Sequence, residues 1–248
     1  MTNNRFMVTT TFYDPDDEIS RVRSEIAKRT FRNTLNKNCP IIAVDGGSPD
    51  ELLKEFESYG VIVLREEQRG MGPARRQAIR VATEDYDAQV TMWAEPEKDL
   101  SQFLEQIFNP LESKEVDFVC VARKDRSSYP SFQQYTEGLG NYVWRNITGT
   151  NLDMFFGARA WRRKLTRYFL DYNGETQDAI HIPVIDIIFN KHRVKSVEVD
   201  FSYPNEQRKV EEGEVNALKM QVKRLSQLHE LSKQTFERWK YLNGRANR

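Results

Sequence analysis

Between residues 5 and 123, short apolar runs alternate with stretches of helical period. That alternation confines the chain to a layered α/β fold. The runs lie at 5–12, 40–45, 61–64, 90–94 and 116–123. Each is rich in β-branched or other apolar residues and nearly uninterrupted, the pattern of strands buried on both faces. After the first of them, Ile19, Val22, Ile26, Thr30 and Leu35 recur near helical spacing, so a helix is predicted over 18–36. A second helix is predicted over 49–58, a third from Pro73 to about 83, and a short fourth over 101–108. The expected fold is a mainly parallel central sheet flanked by helices.

Turn residues punctuate the elements. Asp14, Pro15, Asp16 and Asp17 end the first strand and offer caps to the first helix. Pro73 stands where a first helical residue would, behind Gly70 and Gly72. The second half is less regular. Residues 131–147 read as a helix; 151–161 read as a short strand, a glycine turn at Gly157 and then a basic helix. Pro183 starts a helix within 178–191, and 194–201 alternates as a late strand. Over 212–242 the pattern is helical, with Val215, Leu218, Val222, Leu225, Leu228, Leu231, Phe236 and Trp239 as its apolar stripe. This long C-terminal helix is most simply packed on the body. A homo-oligomer arm and a weak membrane-surface contact are the alternatives, although the spacing is no clean heptad. One domain is expected over 1–205, with halves of about 1–125 and 126–205, followed by a helical extension over 206–248.

Lysine plus arginine and aspartate plus glutamate each number 37 in the 248 residues. With formal charge balanced, no global field draws the chain to nucleic acid. No run approaches the ~18 apolar residues of a transmembrane span, and no signal peptide is visible. Cys39 and Cys120 have neither metal nor redox spacing and lie beside or within predicted strands, so buried thiols in a reducing, cytoplasmic compartment are expected.

Three stretches carry candidate chemistry. The run 90–94 ends in Glu95-Pro96-Glu97, and ligands of open α/β sheets sit at the carboxyl ends of strands. Two carboxylates one residue apart can grip a hard divalent cation; acids opening a following helix are the plainer reading. Gly70-Met71-Gly72-Pro73-Ala74-Arg75 joins a glycine loop to a helix N-terminus, where phosphate is attracted, and Arg75 adds bidentate donors. Asp45 ends the second strand before Gly46-Gly47, where it can accept from a nucleobase or ribose or simply form a turn. Thr10 and Phe12, at the end of strand one, can line the same crevice, with an aromatic available for stacking.

Together these pieces resemble the nucleotide half of a GT-A-fold glycosyltransferase, of the family-2-like and mannosylglycerate-synthase-like kind. The resemblance rests on Val44-Asp45-Gly46-Gly47-Ser48, the Gly70–Arg75 form and a strand ending in acids. It covers about 5–125 well and reaches more loosely to Gly157 and 178–204. It implies transfer of a hexosyl group from a UDP- or GDP-linked sugar to a hydroxyl acceptor, with Mg²⁺ or Mn²⁺ assisting the diphosphate leaving group. Asp45 would read the base, with Thr10 and Phe12 beside it, and Gly72, Arg75 and Glu95 would meet the nucleotide. Glu95 and Glu97 would hold the metal in place of the family's Asp-x-Asp, with His181 a further ligand or a core residue. The late metal histidine has no counterpart; Tyr203 or Asn205 stands in that segment. Asp178 would deprotonate or orient the acceptor. Gly157 and Arg159, with Arg162 and Arg163, would contact the hydroxyl acceptor, an anionic one such as a phosphate or carboxylate included. Two other readings compete: a degenerate transferase fold that binds without catalysis, and a sugar nucleotidyltransferase, which usually has a Gly-rich basic loop directly after strand one.

Overall fold

The computed structural model describes residues 5–246. Seven strands form one sheet: β1 (Arg5–Thr11), β2 (Ile41–Asp45), β3 (Ile62–Arg65), β4 (Val90–Trp93), β5 (Phe118–Arg123), β6 (Arg159–Arg162) and β7 (Val194–Val199). Their order is β3-β2-β1-β4-β6-β5-β7. Every neighbouring pair is parallel except those made by β6, which runs antiparallel to both β4 and β5. The helices are α1 (Glu18–Leu35), α2 (Asp50–Tyr59), α3 (Met71–Glu84), α4 (Leu104–Glu112), α5 (Ser131–Thr148), α6 (Thr166–Leu170), α7 (Asp178–His181), α8 (Pro183–Phe189), α9 (Asn205–Glu212) and α10 (Ala217–Ala246).

Period-2 alternation explains why the apolar runs look uninterrupted. On β1, β2 and β5, Met7, Ile41 and Val119 enter one core with Phe31 of α1, Phe56 of α2 and Phe108 of α4. Their neighbours Val8, Ile42 and Phe118 enter the other, with Ala78 of α3, Trp161 and Ile185 of α8. Both faces of the sheet are covered, so each strand is apolar on both sides. The ends are capped as the turn residues imply. Asp17 accepts from the Ser20 N–H at the start of α1 at 2.8 Å, Gly60 closes α2 at φ +101°, and Pro183 is the first residue of α8.

Two expectations need correction. Within 151–161 the strand follows the glycine turn instead of preceding it. Met154 and Phe156 are buried in the approach, Gly157 turns at φ +93°, and Arg159–Arg162 is β6. The residues expected to form a basic helix alternate across the sheet, and their cations are paired: Arg162 meets Asp117 at 3.4 Å and Arg163 meets Asp87. The apolar stripe of α10 also divides. Met220, Leu231 and Leu242 are buried, whereas Leu218, Val222, Leu225 and Phe236 face outward, as does Val215 just before the helix. The inward side follows the 220-224-231-235-242 spacing, where half-buried Arg224 and buried Thr235 fill positions that sequence hydropathy passes over. Among the described residues no helix is long and apolar enough to cross a membrane.

Candidate active site

The strand order sets the position of the site. From β1 the sheet grows to β2 and β3 on one side and to β4 on the other, so a crevice opens outside the carboxyl ends where the direction reverses. Residues beyond Thr11, Asp45 and Trp93 therefore share one edge. Two adjoining cavities of 170 and 50 Å³ lie at the β4 side of that edge and share Glu95, Glu137, Phe155, Gln177, Arg224 and Gln227. Helix α10 forms the far wall.

Glu95 and Glu137 both line the two cavities, and Glu95 is the more open of them, with 37% of its side chain exposed against 6% for Glu137. Burial alone would raise its pKa, but Lys98 at 2.5 Å, Arg224 and Arg75 outweigh it and hold the group down at about 2. Lys98 is fixed in turn by the Phe156 carbonyl. Gly157 lies beside this pair: a Cβ there would sit 3.3 Å from Lys98 Nζ and 3.8 Å from Glu95 Oε1. Glu97 faces the larger cavity and accepts from the Tyr13 hydroxyl at 3.0 Å. Burial and the neighbouring Glu95 raise its pKa, against the pull of Arg23 and Tyr13.

Three arginines surround Glu95, and none has a carboxylate within 4 Å among the described residues. Arg75, 3% exposed, donates to Thr176 O and Gln177 Oε1, both at 2.9 Å, and lies 4.7 Å from the Trp93 ring centre. Its burial lowers its pKa to about 10. Arg159, also 3% exposed, donates to Gly157 O and Met154 O. Arg224 of α10 donates to Gln133 Oε1 at 2.9 Å. In all three the buried Nε has no acceptor. Buried guanidinium groups without carboxylate partners are costly, so the edge is electrostatically prepared for an anion.

A relay of ion pairs holds the walls. Arg123, with 0% of its side chain exposed, makes a bidentate pair with Asp153 at 2.8 Å through each nitrogen and also bonds Glu137. Gln133 then links Glu137 to Arg224. On the other side Glu211 of α9 accepts from Arg23 at 2.6 Å and from Tyr203 at 2.8 Å, which fixes Arg23 near Glu97.

The remaining predicted residues separate into those brought to this edge and those turned away. Phe12 is 62% exposed and lies 3.7 Å from where a Cβ on Gly47 would stand. Thr10 is half-buried on β1 opposite Val44. Asp45 is on the edge but fully engaged. Its two oxygens accept from Thr11, the Gly47 and Ser48 amides, the Ser48 hydroxyl and Arg65, so in this structure it holds the turn after β2. The Ser48 hydroxyl also accepts from the Tyr13 N–H at 2.9 Å, tying this corner to Glu97.

Gly72 has a different role from the expected phosphate contact. Its N–H donates to Glu175 O at 2.9 Å, and a Cβ would fall 1.9 Å from Gly174 O. Glycine is there for backbone packing that positions 172–177, and with it the partners of Arg75. Gly72→Ala forces two backbones apart and is expected to cost about 3 kcal/mol, seen as a melting temperature lower by roughly 6–12 °C. An unchanged melting curve would contradict the contact.

Asp178 does not line either cavity. Its carboxylate accepts from the Thr176 N–H and hydroxyl and from Tyr172. It stabilises its own turn, and Gln177 takes the wall position. His181 borders the smaller cavity, but as a core residue. Burial, with Arg159 nearby, lowers its pKa well below 6.5, Nε2 faces Thr235 Oγ1 at 3.3 Å, and Trp144 and Phe155 pack edge-on. Among the described residues no three His, Cys, Asp or Glu side chains converge as a metal-ligand set, so His181 does not join Glu95 and Glu97. Tyr203 does reach the larger cavity, whereas Asn205 begins α9 as an exposed residue.

Sequence reasoning missed Arg23, Gln177, Lys223, Arg224 and Gln227, all of which line the larger cavity. Lone polar residues on helices carry no spacing signal that separates a site wall from a solvated face.

No curated protein sequence matches this chain. Solved structures do. Glucosyl-3-phosphoglycerate synthase from Mycobacterium tuberculosis in complex with Mg²⁺ and uridine-diphosphate is 13% identical, covers 92% of this chain and 79% of that chain, and superposes with a TM-score of 0.64. The same enzyme with Mn²⁺, uridine-diphosphate-glucose and phosphoglyceric acid gives 13%, 92%, 79% and 0.64, and a phosphoglyceric acid complex gives 14%, 92%, 80% and 0.63. At such identity the likeness shows a shared GT-A architecture. The profile of glycosyl transferase family 2 matches residues 19–170, more than half the length, and the chain belongs to that family.

Proposed function

We propose that the crevice transfers a hexosyl group from a nucleotide-diphosphate sugar to a hydroxyl acceptor. The observation that carries this reading is one depressed carboxylate, Glu95, facing three arginines that lack carboxylate partners. A diphosphate supplies the missing anion and places the sugar toward Gly157 and Arg159. The related structures bind UDP, UDP-glucose and phosphoglyceric acid, which supports the same substrate classes here, including an anionic acceptor.

The donor set fits a divalent cation held jointly with substrate. Mg²⁺ usually takes one or two protein carboxylates, with phosphate oxygens and water completing the shell. Glu95 would hold it, with Glu97 beside it, and Lys98 would move off Glu95 to make room. The cation, when bound, supplies Lewis-acid neutralisation of the leaving diphosphate. Arg75 then binds phosphate charge, Arg159 and Arg224 orient the acceptor, and α10 excludes bulk water from the smaller cavity.

The ion pair between Lys98 and Glu95 favours one second reading, a family member that binds sugar nucleotides without turning them over. Cys39 and Cys120 are both buried and free, which is in keeping with a reducing cytoplasm. The outward row on α10 supports self-association.

A panel of UDP- and GDP-hexoses, with and without Mg²⁺ or Mn²⁺, tests the reading. At a hundredfold excess over Kd, ligand linkage adds about 2.7 kcal/mol and raises the melting temperature by roughly 5–10 °C. Product formation from a shifted donor is the expected result. A shift without turnover against phosphorylated hydroxy acids favours the binding module, and no shift with any donor overturns both.

A further inference from the structure

On the β2–β3 side of the crevice edge, the backbone donors of the diglycine corner are already committed. The Gly46 N–H donates to Thr11 O at 2.9 Å, and the Gly47 and Ser48 N–H groups both donate to Asp45 Oδ1 at 2.8 Å. The Glu66 N–H donates to Asp45 O at 3.0 Å. Arg65 spends its guanidinium on Asp45, Ser48 and Asp50. What this corner leaves available is an acceptor. Glu66, half-buried directly after β3, takes the Gly70 N–H on Oε2 at 3.0 Å, and Oε1 has no donor among the described residues. Oε2 stands 3.5 Å from where a Cβ on Gly46 would lie, and the exposed Phe12 ring stands 3.7 Å from the same point on Gly47. An aromatic face and a carboxylate thus flank a bare diglycine.

We propose that Glu66 reads the nucleobase of the donor and selects guanine over uracil, a claim that rests on the transferase reading. A carboxylate only accepts hydrogen bonds. Guanine presents two adjacent N–H groups, N1–H and N2–H₂, on one edge, and both match a carboxylate. Uracil presents a single N3–H between two carbonyl oxygens, so it offers the carboxylate one donor where guanine offers two, and the Gly46, Gly47 and Ser48 amides and Arg65 that border the corner already have acceptors. Phe12 stacks on either ring and sets affinity without choosing between bases.

The test is calorimetric titration of the full chain with GDP and with UDP at fixed Mg²⁺. GDP is expected to bind at least about tenfold tighter, the scale of one charge-assisted hydrogen bond. In Glu66→Gln the amide oxygen can keep the Gly70 contact, while its NH₂ opposes the guanine donors. The GDP to UDP preference is expected to fall by about tenfold or more, with the melting temperature of the free protein unchanged. Phe12→Ala should weaken both nucleotides alike. UDP binding as tightly as GDP to the parent chain, or an unchanged preference in Glu66→Gln, overturns the base assignment and leaves the transferase reading intact. Failure of both nucleotides to bind overturns the two together.

Discussion

Glu95→Gln is expected to lower sugar transfer by at least about 100-fold while leaving the fold in place. The glutamine is isosteric, so the wall formed with Gly157 and Lys98 keeps its shape, but the negative charge is lost. That charge sits among Lys98, Arg75 and Arg224, and under the proposed chemistry it anchors the cation that neutralises the departing diphosphate. Removing one electrostatic contributor to such a step typically costs about 10²–10³ in rate. Because the carboxyl titrates at about 2, the parent enzyme keeps this charge throughout the range in which the protein is assayed. No pH dependence of activity above about 4 should therefore trace to Glu95. The check is a kcat comparison of parent and variant at matched Mg²⁺, with melting curves as the folding control. Activity within threefold of the parent would remove Glu95 from the mechanism.

Arg123→Leu should have the largest effect on stability. Its side chain is fully enclosed and bonds Asp153 and Glu137, which are 5% and 6% exposed. Breaking a buried ion-pair cluster from one side strands the remaining charges and costs about 3–5 kcal/mol. For a chain of this size that corresponds to a melting temperature lower by roughly 6–20 °C. The pH dependence should also change sign. In the parent, burial opposes ionisation of Asp153, but Arg123, Arg126 and Asn141 overcome it and set its pKa at about 2. The unfolded value is about 3.9. The folded value is depressed, so this stabilisation is complete above about pH 4 and is lost as the pH falls toward 2. Without Arg123, burial dominates and the folded pKa rises above the unfolded one. The variant should then gain stability relative to the parent as the acids protonate. Denaturant titrations of both proteins at pH 7 and pH 4 measure this, and parallel losses on acidification would refute it.

The first half of the fold was largely legible because its strands are buried on both faces and its turns are marked by Gly, Pro and Asp. β6 was not, since Arg159 and Arg162 look like a solvated helix until Asp117 and the Gly157 and Met154 carbonyls are seen beneath them. In the cavity walls, Glu95, Arg75 and Gly157 stood near element ends, where acids, glycines and helix starts are marked in the sequence. Asp45 and Asp178 stood at similar ends, and their oxygens accept from the backbone of their own turns. A terminal carboxylate serves a loop or a ligand equally well, and only the count of donors already on it tells the two apart. Arg23, Lys223 and Arg224 became visible only through tertiary crossing, because a polar residue on a helix carries no record of what the helix will face.

The course of α10 has an engineering consequence. Residues 19–170 carry the family signature, yet Gln177, Tyr203, Lys223, Arg224 and Gln227 on the opposite wall of the cavity lie downstream of it. The downstream stretch therefore completes a cavity whose other wall, Arg75 and Arg159 included, lies within the family stretch. Because Arg75 donates to Thr176 and Gln177, an exchange of the downstream stretch between homologues has to begin beyond residue 177 to leave that arginine in place.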